Sequence, residues 1–178
     1  IQVQRGRMSE ADVDKRMSLL SGTTDYKGLS SADVIIEAVY ENIDVKVETF
    51  KKIEAVAKPG AILASNTSGL DIDKMAEATG RPDAVIGLHF FSPANVMKLL
   101  EVVRGENTSK ETIATSMKLG RTLNKIAVLS GNAPGFIGNR MLSGYTQQAG
   151  EIILQGATPC QVDNVLLQFG MPMGPFQM

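Results

Sequence analysis

Val34-Ile35-Ile36-Glu37-Ala38-Val39 is a near-continuous apolar run with the length of a buried strand. Residues 44–58 follow with apolar side chains at helical spacing, and Pro59-Gly60 ends that predicted helix. The next apolar run, residues 61–64, predicts a second strand. A strand, a helix and a second strand in this order are typical of a parallel sheet that helices cover on both faces.

The same alternation continues as far as Gly131. It predicts a short helix over 72–79, a strand over 84–88, an edge strand over 98–103, a helix over 109–123 and a strand over 126–129. The strands then stop, and apolar residues at three- and four-residue steps predict two amphipathic helices over 136–154 and 159–169. We therefore expect an α/β domain over 1–131 and the start of a helical domain over 132–178.

The composition argues against several functional classes. A hydrophobic content of 43% with 21% charged residues is that of an ordinary globular protein, and a net charge of -1 gives no reason to expect nucleic acid as a partner. We expect no membrane span, because no apolar run approaches the ~18 residues that one needs. Cys160 is the single cysteine, and with one histidine it supplies no credible set of metal ligands.

The two ends of the sequence also carry information. The chain begins at Ile1 rather than at a methionine, and it stops at Met178 without a closing helix. We expect it to be a segment of a longer protein. It contains no G-x-G-x-x-G run, so we do not expect the phosphate-binding turn of a dinucleotide fold within these residues.

His89 is the one histidine of the chain, and it directly follows the predicted strand over 84–88. Open α/β sheets bind their ligands at the carboxyl ends of their strands. Histidine can take up and return a proton near neutral pH, so His89 is a candidate general base. Its neighbours Phe90 and Phe91 are more typical of a buried structural histidine, so this segment alone does not identify His89 as a base.

Polar side chains also follow the two preceding predicted strands. Glu41 comes after the first, and residues 65–68 come after the second and end in Ser68. The carboxyl ends of parallel strands point the same way, so we expect these groups to converge with His89. Each has a simpler interpretation: Ser68 as the cap of the next helix, and Glu41 as a solvated loop charge.

Two further polar residues lie near this edge. Glu101 stands between Leu100 and Val102, where a carboxylate is costly unless it is paired, and His89 is the nearest candidate partner. The alternative is an edge-strand glutamate that faces water. Asn139 lies one turn into the helix predicted over 136–154, where it is either a residue of an interdomain cleft or a solvated helix-start asparagine.

Five segments together resemble the L-3-hydroxyacyl-CoA dehydrogenases of fatty-acid β-oxidation, and they occur in the family's order. They are Ala32–Glu41, Ala64–Ser68, Gly87–Glu101, Pro134–Arg140 and Phe169–Phe176. The His-Phe-Phe-Ser-Pro-Ala form of the third segment and the Gly-Met-Pro-Met-Gly-Pro form of the last look more like the dehydrogenase part of multifunctional enzymes than like the short monofunctional ones.

The resemblance implies a role for each catalytic candidate. His89 would remove the proton of the 3-hydroxyl while hydride leaves C3 for the nicotinamide of NAD, and Glu101 would hold and polarise His89. Ser68 and Asn139 would bind the substrate oxygen or the thioester region and fix the reacting carbon near the cofactor. Seven positions match those that line or lie near the NAD site: Val39, Tyr40, Glu41, Lys46, Asn66, Ser68 and Ser92.

The fold that the resemblance implies is an incomplete Rossmann-type parallel sheet followed by the start of an all-helical C-terminal domain. In the family, the first strand and its glycine-rich turn precede the segment equivalent to Ile1, and most of the helical domain follows Met178. The intact protein would then bind NAD, whereas the activity of this segment alone is open.

The resemblance also implies partners and a location. The substrate would be an acyl-CoA, and the intact protein would be oligomeric and fused to an enoyl-CoA hydratase. It would be cytoplasmic in a bacterium, and peroxisomal or mitochondrial in a eukaryote. Two alternatives stay open: a monofunctional short-chain 3-hydroxybutyryl-CoA dehydrogenase, and a non-catalytic structural relative or inactive fragment.

Overall fold

A five-stranded sheet forms the centre of the computed structural model, which describes residues 3–178. The strands are β1 (Val34–Glu37), β2 (Ile62–Ser65), β3 (Val85–Phe90), β4 (Leu99–Arg104) and β5 (Ile126–Gly131). The helices are α1 (Glu10–Met17), α2 (Ile43–Glu54), α3 (Ile72–Ala76), α4 (Lys110–Thr122), α5 (Gly138–Leu154) and α6 (Pro159–Phe169). The mixed α/β class is confirmed, and only helices follow β5.

The strands lie in chain order, β1-β2-β3-β4-β5. The first three are parallel, β4 runs antiparallel to β3, and β5 runs parallel to β4. The sheet is therefore mostly parallel rather than wholly parallel, because the short connection over 91–98 can return the chain only alongside β3 in the opposite direction. The prediction that 98–103 is an edge strand was wrong, since β4 lies between β3 and β5.

The two faces of the sheet carry different helices. On one face, side chains such as Ile35, Leu63 and Val103 pack against α2 and α3. On the other face, Leu88 and Leu100 belong to a cluster that α4 covers. Side chains alternate between the faces along a strand, and the strand register puts four buried polar residues on the first face, namely Glu37, Ser65, His89 and Glu101.

Local side-chain chemistry sets where the helices begin and end. Asn42 accepts hydrogen bonds from the N–H groups that open α2, and Ser109 caps α4 as its position predicts. The helices predicted over 44–58 and 72–79 end earlier, at Glu54 and Ala76, and continue as turns. The helix predicted from 136 begins two residues later, because Phe136 has a positive φ of 51° that a helix cannot contain.

Within residues 3–178, every helix is too short or too polar to pass through a bilayer.

The packing of the sheet generates a stability prediction at Gly87. A Cβ at this position would lie 2.8 Å from Val103 Cβ and 3.1 Å from Ile72 Cδ1, so we expect Gly87→Ala to destabilise the chain by about 1–3 kcal/mol. Gly144→Ala is the matched control, because that position on α5 is exposed and a Cβ there meets nothing within 4 Å. It should stabilise by about 0.5–1 kcal/mol. Urea unfolding measures both, and an unchanged midpoint for Gly87→Ala would contradict the packing.

Candidate active site

His89 is held by a carboxylate on the neighbouring strand. It is the penultimate residue of β3, it lies opposite Glu101 in the register with β4, and only 6% of it is exposed. His89 Nδ1 is 2.7 Å from Glu101 Oε2, which confirms the predicted pairing. A carboxylate at this distance accepts the hydrogen of Nδ1. Nε2 is then left with a free lone pair that can accept a proton.

The second oxygen of Glu101 contacts the helical part of the chain. Oε1 accepts hydrogen bonds from the N–H groups of Ile137 (3.0 Å) and Gly138 (2.7 Å), where α5 begins. The start of α5 has no side-chain cap of its own, so this buried carboxylate takes that place. The interpretation of Glu101 as a water-facing residue is therefore wrong.

Two phenylalanine rings form an apolar wall around the imidazole. The ring centroid of Phe91 lies 4.3 Å from that of His89, and the centroid of Phe136 lies 5.9 Å away. A Cβ at Gly138 would come within 2.8 Å of Phe91 Cζ, so the glycine allows this close approach. The sequence did not identify Phe136 as a site residue, because it lies close to His89 in space but far from it in the chain.

Glu41 binds the turn that follows β2. Its Oε1 accepts hydrogen bonds from the Thr67 hydroxyl (2.7 Å), the Ser68 N–H (2.8 Å) and the Ser68 hydroxyl (2.9 Å). Asp71, not Ser68, caps α3. The interpretation of Ser68 as a helix cap is therefore wrong. Glu41 is still partly solvated, with 42% of its side chain exposed, but its carboxylate is bound to this turn.

These contacts change the acidity of Glu41. Partial burial favours the uncharged form, but the hydrogen bonds from Thr67 and Ser68 and the nearby ammonium of Lys46 outweigh it. The pKa of Glu41 is consequently held below its ordinary value of 4.5. At neutral pH the group is a carboxylate that accepts every polar hydrogen of Ser68.

Asn139 joins the helical part of the chain to this turn. It is the second residue of α5, and its Nδ2 donates a 2.9 Å hydrogen bond to the Ser68 carbonyl. The interpretation as a solvated helix-start residue is therefore wrong. The structure brings the four catalytic candidates together as two pairs, His89 with Glu101 and Ser68 with Asn139, and α5 contacts both pairs.

A buried ion pair lies beneath Glu41. The ammonium of Lys46 is 2.7 Å from Glu37 Oε1 and 3.3 Å from Glu41 Oε2, and the side chains of Lys46 and Glu37 are 1% and 0% exposed. Sequence reasoning did not single out Glu37, although a lone carboxylate inside the apolar run 34–39 was the available signal. Lys46, a predicted cofactor residue, is buried beneath Glu41 rather than open to solvent.

The other predicted cofactor positions lie at the carboxyl edge of the same three strands. Val39 and Tyr40 are exposed just after β1, and Ser92 is exposed just after β3. Asn66 follows β2, and its Oδ1 accepts a 2.8 Å hydrogen bond from the N–H of Phe90. That these residues bind a cofactor stays a prediction.

Comparison with known families matches two family models to the chain. The model described as "3-hydroxyacyl-CoA dehydrogenase, NAD binding domain" matches residues 1–133, and that described as "3-hydroxyacyl-CoA dehydrogenase, C-terminal domain" matches residues 135–178. A peroxisomal bifunctional enzyme of Danio rerio is 48% identical over 176 residues, which cover 96% of this chain. The peroxisomal bifunctional enzyme of Homo sapiens is 49% identical over 156 residues, which cover 88% of it.

Solved structures give the same family. The chain is 37% identical to an (S)-3-hydroxybutyryl-CoA dehydrogenase from Ralstonia eutropha, with a TM-score of 0.94, and the match covers 98% of this chain and 62% of that one. The dehydrogenase part of multifunctional enzyme 1 from C. elegans is 30% identical with a TM-score of 0.66, over 98% of this chain and 41% of that one. The chain spans 24% of the length of the Danio rerio relative and 22% of the human one.

Removal of the Glu101 carboxylate should destabilise the fold. Glu101→Ala leaves the Nδ1–H of His89 and two N–H groups of α5 buried without a partner, and we expect a loss of about 3–5 kcal/mol in the free energy of unfolding. Glu101→Gln keeps an oxygen for α5 and should lose less. Glu106→Ala, at an exposed position, is the control and should stay within about 0.5 kcal/mol. Urea unfolding of the three variants tests the assignment, and a wild-type value for Glu101→Ala would contradict it.

The lowered pKa of Glu41 predicts a pH-dependent contribution to stability. The ionised group stabilises the folded chain fully above pH 4.5, and the contribution is lost as pH falls through the lower pKa of the folded state. Glu41→Gln has no proton to gain, so the difference in free energy of unfolding between wild type and variant should shrink below pH 4.5. Urea unfolding at pH 7 and at several lower values measures this, and a constant difference would contradict it.

Proposed function

The chain belongs to the 3-hydroxyacyl-CoA dehydrogenase family, and on that premise we propose that it supplies the catalytic residues of an enzyme that oxidises L-3-hydroxyacyl-CoA to 3-ketoacyl-CoA with NAD. The observation that carries this proposal is the contact between His89 Nδ1 and Glu101 Oε2 at 2.7 Å. It fixes the ring and leaves Nε2 as the proton acceptor that oxidation of a hydroxyl group needs.

The chain's own residues account for the proton in this reaction. His89 takes the hydroxyl proton at Nε2, and the Glu101 carboxylate stabilises the imidazolium that forms. Bound at this site, NAD would supply the acceptor for the hydride of C3, so that a carbonyl, NADH and one proton would be the products. The rings of Phe91 and Phe136 exclude water from one side of the imidazole.

The residues present at the strand ends fit a bound NAD. Exposed Val39 and Tyr40 offer apolar surface to the cofactor, while Ser68, Ser92 and Asn66 supply polar groups at the ends of β2 and β3. Glu41 contributes a carboxylate on the β1 side, and Lys46 lies buried beneath it. Ser68 together with Asn139 would fix the reacting carbon near this cofactor.

We propose a multifunctional context for the chain. Relatives that are 44–49% identical carry the names peroxisomal bifunctional enzyme and glyoxysomal fatty acid beta-oxidation multifunctional protein, and the chain spans about a quarter of their length. This supports a fusion with an enoyl-CoA hydratase, an acyl-CoA substrate and a peroxisomal location. Helical segments after Asn132 resemble the family's dimer-forming region, which supports an oligomer.

The non-catalytic alternative is disfavoured by what the buried glutamate does. Glu101 Oε1 has a structural role at the start of α5, but the contact of Oε2 with His89 Nδ1 orients an imidazole, which a purely structural relative does not need. The monofunctional alternative shares the same reaction, and the high similarity to the Ralstonia eutropha enzyme is consistent with it.

The role of His89 is tested in the complete natural protein. We expect wild type to oxidise NADH with a 3-ketoacyl-CoA, and His89→Ala to lower kcat by about 10²–10⁴-fold because the proton donor in this direction is lost. His89→Asn is the matched variant, since its amide can still donate to Glu101 but offers no Nε2. It should be equally inactive while its unfolding midpoint stays nearer to that of wild type.

The absorbance of NADH follows the reaction. Turnover by His89→Asn at the wild-type rate would remove His89 from the mechanism. A wild-type protein with no turnover on any 3-ketoacyl-CoA would contradict the proposed function itself.

A further inference from the structure

The segment that joins β5 to α5, residues 132–138, contains a buried residue with a left-handed backbone, and we refer to this segment as the linker. Phe136 has a φ of 51° and is only 3% exposed. A bulky L-residue adopts this conformation at an energetic cost, and it stays there only where its surroundings impose it. The contacts on either side of Phe136 therefore indicate what holds it.

The first anchor of the linker is the side chain of Asn132. Its Nδ2 donates hydrogen bonds to Asp71 Oδ1 (2.6 Å) and Asp73 Oδ2 (2.7 Å), and its Oδ1 accepts one from the N–H of Ile72 (3.1 Å). Both donated hydrogen bonds go to carboxylates, which are stronger acceptors than neutral groups. Asp73 is itself held, because its other oxygen accepts from the N–H of Glu106 (2.7 Å). The residue that follows β5 is thus fastened to the start of α3.

The second anchor lies at the other end of the linker. Glu101 Oε1 accepts hydrogen bonds there from the N–H groups of Ile137 and Gly138. Only residues 133–136 separate the two anchors. Because so short a segment is fixed at both ends, few backbone conformations are open to it.

The linker also passes close to the turn that carries Ser68. A Cβ at Gly69 would lie 3.0 Å from the N atom and 3.2 Å from the Cα atom of Gly135, whose φ is 71°. The two backbones are therefore in direct contact, with no room for a side chain between them. A shift of the linker would displace this turn as well.

Two groups of the candidate site depend on the path of the linker. The ring of Phe136 lies beside the imidazole of His89, with 5.9 Å between the ring centroids. Three residues further along the chain, Asn139 donates its hydrogen bond to the Ser68 carbonyl. A change at Phe136 from the left-handed to the right-handed region would turn the chain in another direction, and both groups would move.

We propose that Asn132 is a positioning residue, which fastens the linker to α3 and thereby holds Phe136 in the left-handed conformation. This conformation sets the position of Asn139 relative to His89. The proposal rests on the proposed function, in which His89 and Asn139 act on the same substrate. Within residues 3–178, the side-chain hydrogen bonds of Asn132 all go to residues 71–73, so it acts through the linker.

Two variants at one position test the backbone part of the proposal. Phe136→Gly and Phe136→Ala both remove the ring, but only glycine adopts a φ of 51° without cost. In the complete natural protein, we expect the melting temperature of Phe136→Gly to exceed that of Phe136→Ala by about 2–8 °C. Combined with Asn132→Ala, the same pair should show no difference or the reverse order, because the linker can relax and glycine then only adds freedom to the unfolded chain.

A purely local role of Asn132 gives a different result. If Asn132 only stabilised the start of α3, its removal would lower both melting temperatures and leave their difference unchanged. The pair of variants therefore separates a hold on Phe136 from general stabilisation.

Turnover of NADH with a 3-ketoacyl-CoA tests the positioning role. Asn132→Ala should lower kcat by about 10–100-fold, because displacement of a catalytic group by about 1 Å has an effect of this size. The dissociation constant of NADH, measured by calorimetry, should stay at the wild-type value, since β5 ends beside the start of β3 and the predicted cofactor residues follow the opposite ends of the strands. Asn164→Ala, at an exposed position on α6, is the matched control and should keep the wild-type kcat.

Four results would overturn the proposal. They are a wild-type kcat in Asn132→Ala, a parallel loss of NADH affinity in that variant, a Phe136→Ala protein at least as stable as Phe136→Gly, and a difference between these two that persists without Asn132. Asn132→Ala leaves the apolar core intact, so its kcat decides the matter even if the Phe136 variants do not fold. A wild-type protein without turnover contradicts the proposed function, whereas the melting temperatures still decide whether Asn132 holds Phe136.

Discussion

The buried carboxylate of Glu101 is the contact on which the rest of the candidate site depends. One oxygen holds the ring of His89, and the other holds the first N–H groups of α5. A carboxylate at 0% exposure is stable only when both oxygens are hydrogen bonded, so the loss of either contact would destabilise the fold. Because Asn139 also lies at the start of α5, the same side chain fixes the base relative to the residue that contacts Ser68.

Three glutamates act in a similar way at this edge of the sheet. Glu37 and Glu101 each accept hydrogen bonds from two or more segments, whereas Glu41 accepts them from the turn at Thr67 and Ser68 and forms an ion pair with Lys46. The consequence is a site with two hydrogen-bond acceptors, His89 Nε2 and Ser68 Oγ. Electrostatic preorganisation of this kind lowers the cost of moving a proton, because the surrounding dipoles need not reorient.

The sequence predicted the strands closely, because apolar runs of strand length report burial. It was wrong on the position of β4, since burial does not show which strands are neighbours and the order follows from the short connection over 91–98. The pairing of His89 with Glu101 was predictable, because an apolar strand with one carboxylate requires a partner for it. Glu41 and Ser68 each had an adequate local explanation from the sequence, and only the folded structure shows that the two side chains are in contact.

The sequence by itself determined the α/β class, the family and the identity of the candidate base, because these follow from the spacing of apolar residues and from motifs within short segments. The tertiary structure alone decided which oxygen accepts which hydrogen. Two sets of contacts join segments that lie far apart in the sequence. One is the second contact of Glu101, at α5, and the other runs from Glu37 through Lys46 and Glu41 to Ser68. Hydrogen bonds act over about 3 Å, and no linear pattern records a distance of that kind between remote residues.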